Sequence, residues 1–347
     1  MKPSRFILLL TLAVAPGISA AAEPQTAPSK PAQSHRALRQ LGMVDIPGSP
    51  GFDQMAIANG KLLLVHTAAS SLDIVDPARR RVVAQVVNLQ SPRGIAVDQQ
   101  NRKIYVAQAD NNSIAVISFD GWQVTNIIPV SQRPTSLLLD DNGNRLYWAS
   151  ASNNSLSVLD VNTRENIGTV VLGGRPCDMT WNADRQVAFV TLQDARQVVA
   201  VDPKLQIVSR FQINASQPTG VVYDPRIREL YVAVRHAVVS ISSENGAEAN
   251  RMAAPAGVDS LWLDPESRTL YAASPGALLV MRAERAHLTA VDEISTDVKG
   301  HTVAYDPESK MVFLPGGREG RSAMLLLKPI QSEQEAADQR DVAARVR

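Results

Sequence analysis

The chain has 347 residues, of which 45% are hydrophobic, 20% charged and 5% aromatic, with a formal net charge of +1. That balance is ordinary for a folded globular protein and excludes a chain that is disordered or collagen-like throughout; it also gives no strong global field toward nucleic acid or an acidic partner. Cys177 is the only cysteine, so an intramolecular disulfide is excluded and the core alone must hold the fold.

The elements begin with a targeting pattern. Lys2 and Arg5 precede an apolar run over 6–14, too short to span a bilayer. Pro16, Gly17 and Ser19 break that run, and Ala20, Ala21 and Ala22 offer cleavage after Ala20 or Ala22. Residues 1–22 therefore read as an export signal. The expectation is a periplasmic or secreted protein that does not span the membrane once the signal is cleaved. No cysteine follows the run, which removes a lipid anchor, and losing Lys2 and Arg5 takes the net charge from +1 to −1. Residues 23–39, rich in Pro, Ala, Ser and Gln, read as a flexible leader.

From there the chain repeats. An apolar or aromatic residue recurs at Leu63, Tyr105, Tyr147, Phe189, Tyr231, Tyr271 and Phe313, at spacings of 42, 42, 42, 42, 40 and 42. A second landmark stands seven residues earlier, at Asp98, Asp140, Asn182, Asp224, Asp264 and Asp306. Each copy holds four short β-type runs; in the second they are 94–97, 104–107, 114–117 and 124–128, separated by Asp, Asn and Gly turns. Four strands at this period are the blade pattern of a propeller. The aromatic landmarks are expected to pack between blades, and Trp181 and Trp262 to pack at the ends of first runs. The segment 40–46 resembles a fourth run, while the seventh copy stops after its third, at 324–327. The expected fold is all-β: a seven-bladed propeller over 40–329, four antiparallel strands per blade, its last blade closed by the N-terminal strand. That closure removes an open sheet edge. Residues 330–347 form a polar, Ala-rich tail.

Pro92-Arg93-Gly94-Ile95-Ala96-Val97-Asp98, then Lys103-Ile104-Tyr105-Val106-Ala107, then Asn111-Asn112-Ser113-Ile114-Ala115-Val116-Ile117 resembles the YVTN-type repeat. So does Arg145-Leu146-Tyr147-Trp148 followed by Asn153-Asn154-Ser155-Leu156-Ser157-Val158-Leu159-Asp160. Over about 40–329 the chain is similar to exported YncE-like propellers. Copies five to seven depart from the pattern, with Arg235-His236-Ala237 and Ser274-Pro275-Gly276 in place of the Asn-Asn-Ser turn. The resemblance implies an exported seven-bladed propeller and makes DNA an expected partner, since YncE-like members have been associated with DNA binding.

In a propeller the first runs line a central channel, and the loops at one end converge on its mouth. The period places one residue per blade there: Arg93, Thr135, Cys177, Thr219, Asp259 and His301, with Phe52 or Asp53 for the first blade. Two positions earlier stand Ser91, Arg133, Arg175, Gln217, Gly257 and Lys299. His66 and His236 point toward the same face as surface residues. Eight cations (Arg93, Arg133, Arg175, Arg196, Arg235, Lys299, Arg318 and Arg321) meet six anions there (Asp53, Asp110, Asp178, Asp194, Asp259 and Glu319), which favours an anionic ligand. The candidate ligand-binding set is Arg93, Arg133, Arg175, Cys177, Asp259, Lys299 and His301. Asp259 and His301 occupy equivalent positions in adjacent blades, so an ion pair or hydrogen bond joins them. Cys177 would be a reactive thiol if Arg175 and Arg93 lowered its pKa.

Other chemistries find little support. One cysteine and scattered histidines supply no zinc spacing. There is no Gly-x-Ser-x-Gly elbow and no phosphate loop. Calcium-dependent lactonase propellers need several channel carboxylates, and Asp259 is the only clear acid among the mouth positions. Lyase propellers use channel His and Glu, and His301 has no aligned Glu. No cofactor, no metal and no catalytic set is expected. The reading is a monomeric, non-enzymatic binding or scaffold propeller of the cell envelope, taking an anionic small molecule or an envelope protein at its channel mouth. Two alternatives stand beside it. One is a channel-mouth enzyme, lactonase-like or lyase-like, with His301 as base and Asp259 orienting it. The other, from the resemblance, is sequence-independent DNA binding.

Overall fold

A computed structural model describes residues 37–140 and 142–330. The stretches read as an export signal, as leader up to residue 36 and as tail from residue 331 lie outside the described residues. Apart from one turn of 3-10 helix at Thr67–Ala69, the described elements are strands, arranged in seven four-stranded antiparallel sheets. Six blades are meanders in chain order, over 55–86, 92–129, 136–171, 176–212, 221–253 and 260–295. The seventh is composite: Ala304–Asp306, Met311–Arg318 and Arg321–Pro329, with the N-terminal strand Leu38–Asp45 outermost. That strand takes in Leu38 and Arg39 from the stretch read as leader, because Leu38 carries a buried side chain that belongs to the core.

Each blade grades from buried to exposed along its strand order, and the sequence pattern follows. Second strands are covered on both faces by neighbouring blades, so they read as unbroken apolar runs. Val187–Leu192 is buried at every position, and Lys103–Gln108 at all but the first. Outer strands touch the core on one side only and alternate, as Asn166–Val171 does.

Both repeat landmarks have a physical role. Leu63, Tyr105, Tyr147, Phe189, Tyr231, Tyr271 and Phe313 are at most 2% exposed, and each lies in a separate core cluster shared with the next blade. Phe189, for example, packs with Val221 and Leu230 of blade 5, and Phe313 with Leu62 and Leu64 of blade 1. The Asp or Asn landmark closes the turn between first and second strands. Its side-chain oxygen accepts from a backbone N–H two to four residues on: Asp98 from Asn101 at 2.8 Å, Asp140 from Asn144 at 2.8 Å, Asn182 from Arg185 at 3.1 Å, Asp224 from Arg226 at 3.0 Å. A short polar side chain is the residue type that caps such a turn.

The N-terminal strand runs antiparallel to Arg321–Pro329, from Leu38 opposite Pro329 to Asp45 opposite Ala323. Leu38 and Val44 are buried by this pairing, and the Ile46 N–H donates to the Ser322 carbonyl at 3.1 Å. The two ends of the described chain thus share one sheet.

Candidate functional site

The first strands surround a channel cavity of about 520 Å³. Its wall mixes aliphatic residues, among them Ile95, Leu137, Val221 and Leu261, with a comparable share of polar ones. The polar groups gather from four blades: Asp53 and Gln54 ahead of Met55–Ala58, Cys177 and Asp178 on Pro176–Asn182, Asp259 ahead of Ser260–Asp264, and His301 ahead of blade 7.

Asp178 enters the channel through a bulge. Pro176 pairs with Leu192 and Met179 with Val190, so two residues, Cys177 and Asp178, stand opposite the single residue Thr191. A bulge of this kind turns a side chain away from strict alternation. The hydroxyl of Thr191 accepts from the Asp178 N–H at 3.0 Å and donates to the Thr219 carbonyl at 2.6 Å, which pins the bulge to blade 5. Period counting treats Asp178 as one more anion of the loop face. The structure makes it a channel residue, so Asp53, Asp178 and Asp259 all face the cavity, and the expectation of a single mouth acid is corrected.

Gln54 is the polar bridge that sequence reasoning missed. Its amide donates to Ser136 Oγ at 3.1 Å and to Asp178 Oδ1 at 3.2 Å, and its oxygen accepts from the Ile95 N–H at 3.1 Å. One side chain from blade 1 therefore ties blades 2, 3 and 4 together. Further round the ring, the Val221 N–H donates to Asp178 Oδ2 at 3.2 Å, the Gly220 N–H to the Asp259 carbonyl at 2.8 Å, and the Ser260 N–H to the His301 carbonyl at 3.2 Å. Nothing in the repeat marks Gln54, because only blade 1 carries it.

His301 Nδ1 lies 2.7 Å from Asp259 Oδ2, with the imidazole 47% exposed at the mouth. The hydrogen bond to Asp259 raises the His301 pKa, burial opposes it, and the negative charges of Asp259 and Asp53 add to the rise. Burial pushes Asp53 up to about 6 against the charge and hydrogen bond of Arg93. Burial pushes Asp178 up to about 7, overcoming the N–H groups of Met179 and Val221 and helped by the charges of Asp259 and Asp53. The Cys177 thiol is driven up too, first by burial and then by the same three carboxylates, with Arg175 opposing. It is held as a thiol, which removes the nucleophile that an arginine-lowered pKa would have made.

The cations are distributed differently. Arg93 Nη1 lies 3.3 Å from Asp53 Oδ2, and Arg133 Nη2 2.7 Å from Asp110 Oδ1. Arg318 is paired with Asp297. Arg175 and Lys299 stand exposed on the rim. His66, expected on the surface, is instead fully buried: its ring sits against Asp73 and the Ser49 carbonyl beneath the loop that precedes blade 1. Among the described residues, no three His, Cys, Asp or Glu side chains are grouped as a metal site.

No family model and no curated protein matches this sequence. Solved structures do. A chain of Kuenenia stuttgartiensis hydrazine synthase is similar with a TM-score of 0.71 at 16% identity, covering 84% of this chain and 97% of that one. A chain of a mitotic checkpoint complex is similar with a TM-score of 0.72 at 15% identity, covering 93% of this chain and 100% of that one. At these identities the likeness establishes the architecture and leaves the chemistry to the site: the described chain is a seven-bladed β-propeller.

Proposed function

We propose that this chain is an exported, non-enzymatic binding propeller of the cell envelope, and that its channel mouth takes a small anionic ligand in mildly acidic conditions. Export rests on the signal pattern over 1–22, and placement among YVTN-repeat propellers rests on the repeats quoted above. One observation carries the ligand reading: Asp53 and Asp178 face the cavity with pKa values of about 6 and about 7, beside the His301–Asp259 pair. Below those values both carboxyls are protonated hydrogen-bond donors. Arg93 and the His301–Asp259 pair then stand beside a cavity relieved of two negative charges. Above those values Asp53 and Asp178 add two negative charges to the cavity, and an anion is repelled. Arg175 and Lys299 on the rim extend the cationic side outward, where an envelope protein with an acidic surface also fits.

The test is calorimetric titration of the mature protein with a panel of small mono- and dicarboxylates at pH 5.5 and 8.0. The expected result is binding at pH 5.5 that weakens at least tenfold at pH 8.0, and that is lost in His301→Ala and Arg93→Glu. No binding at either pH, or small amines binding better at pH 8.0, overturns the reading. N-terminal sequencing of the protein from an envelope fraction checks export; the expected first residue is Ala21 or Glu23.

The 2.7 Å contact between His301 and Asp259 supports one second reading, a channel enzyme in which Asp259 orients His301. A lactone and lyase substrate screen in which His301→Ala matches wild type would remove it.

A further inference from the structure

His66 ends the second strand of blade 1, Lys61–His66, and has no exposed surface. Its Nδ1 lies 2.7 Å from Asp73 Oδ2 and its Nε2 lies 2.7 Å from the Ser49 carbonyl oxygen. A carbonyl oxygen accepts and never donates. Asp73 also acts as an acceptor, for its other oxygen receives hydrogen bonds from Ser71 Oγ and Gln85 Nε2, each at 2.8 Å. Both ring nitrogens therefore face acceptors, and both bonds form only when each nitrogen carries a proton. That species is the imidazolium. The Phe52 ring, with its centroid 4.4 Å from that of His66, lies against it.

We propose that His66 is a buried imidazolium latch that holds the 48–52 turn against blade 1, and that rising pH opens this latch at the seam of the propeller ring. The turn joins the closing strand, Leu38–Asp45, to blade 1, and it leads directly into Asp53 and Gln54, which blade 1 sends into the channel. The packing is close. A Cβ on Gly51 would stand 2.6 Å from Ala68 Cβ, and Gly48 has a φ of +100° with the His66 ring beneath it. The Ala68 N–H donates to the Gly51 carbonyl at 3.1 Å.

The ring faces Asp73 and Ser71 from the third strand, Gln85 from the outer strand, and Ser49 and Phe52 from the turn. Asp73 is the only ionisable group among them. When the imidazolium loses a proton, Asp73 keeps the one on Nδ1, and the bare Nε2 lone pair then meets the Ser49 carbonyl oxygen. Two acceptors repel at that separation, so the turn must move. Burial alone would lower the His66 pKa, but the bonds to Asp73 and Ser49 and the charge of Asp73 outweigh it and the net shift is upward. A group whose folded pKa is raised adds stability that is complete below its unfolded value, about 6.5 for histidine. That stability is lost as pH rises through the folded value.

The latch holds whatever the channel binds. Its test uses the full chain, with ¹⁵N-histidine NMR and hydrogen exchange of residues 47–54 measured at pH 6, 7.5 and 9 and corrected for intrinsic rates. At pH 6 the His66 ring should show two N–H correlations. Protection of 47–54 should fall at least tenfold by pH 9, and His66→Gln should remove that pH dependence. Asp53 titrates nearby, and the His66→Gln profile separates its contribution. Asp73→Asn removes the anion that holds the proton, so its transition should move to lower pH; this reading remains if His66→Gln fails to fold. A single ring N–H at pH 6, a pH profile unchanged in His66→Gln, or an unmoved transition in Asp73→Asn overturns the latch.

Discussion

Asp178 and Asp98 are the same residue type placed eighty positions apart, and backbone geometry gives them opposite roles. Asp98, itself buried, caps the turn at the end of its strand, accepting from the Asn101 N–H and side chain at 2.8 Å each. Asp178 sits on a bulge that turns its carboxyl into the channel, where burial disfavours ionisation. A carboxyl whose folded pKa is raised binds more protons in the folded state than in the unfolded one. Stability is therefore greatest below about pH 4 for this group and falls as pH climbs to about 7. We expect the melting temperature of Asp178→Asn to be less pH-dependent between pH 4 and 7.5 than that of wild type, as read by calorimetry in matched buffers. An unchanged slope would mean that Asp178 is ionised throughout. Asp98→Ala should cost about 1–3 kcal/mol in chemical denaturation, the net value of two lost hydrogen bonds.

Single elements differ mainly in what covers them. The second strands are sandwiched and intolerant: Phe189→Ala, at the interface between blades 4 and 5, should destabilise by about 3–5 kcal/mol, measured by urea denaturation. The closing strand Leu38–Asp45 is an outer strand whose partner is distant in sequence, so its loss acts on the whole ring. Deleting residues up to 45 would expose the paired edge of Arg321–Pro329 and leave blade 7 with three strands. Exposed edges recruit other chains, so the expected outcome is a lower melting temperature and higher-order species on size-exclusion chromatography. A monodisperse truncation with unchanged melting would show that ring closure adds little. Elements of this kind are legible in the sequence, because the 42-residue register and the missing fourth run at the end both survive in the primary structure. The bulge at Cys177 and Asp178 was not legible. Pro176-Cys177-Asp178 fits the strand period as well as the bulge, and only pairing with Leu192 and Val190 distinguishes them.

At the scale of the molecule, charge is sorted between rim and channel. Three of the rim arginines, Arg93, Arg133 and Arg318, are already matched to carboxylates. A cationic surplus counted from sequence thus overstates the field that a polyanion would meet, because paired charges attract weakly at a distance. Binding of a labelled DNA duplex should be weak and should change little with salt between 50 and 200 mM. A steep fall over that range would mean that several phosphates are neutralised and would favour the DNA alternative.

The primary structure by itself determined the architecture. Seven copies in register, each with an interior landmark and a turn-capping Asp or Asn, leave few ways to bury their apolar runs, and the displaced first strand indicates how the ring closes. It also placed Cys177, Asp259 and His301 along the channel, since these follow from the period. The tertiary structure alone decided the chemistry of the site. Gln54 occurs in one blade, Asp178 stands on a bulge that blade 2 shares but fills with Gly94, and His66 is charged because of acceptors seventeen residues before it and seven after it. A repeat reports what its copies share, whereas a site is made where one copy departs from the others, and the partners of that departure lie in other blades.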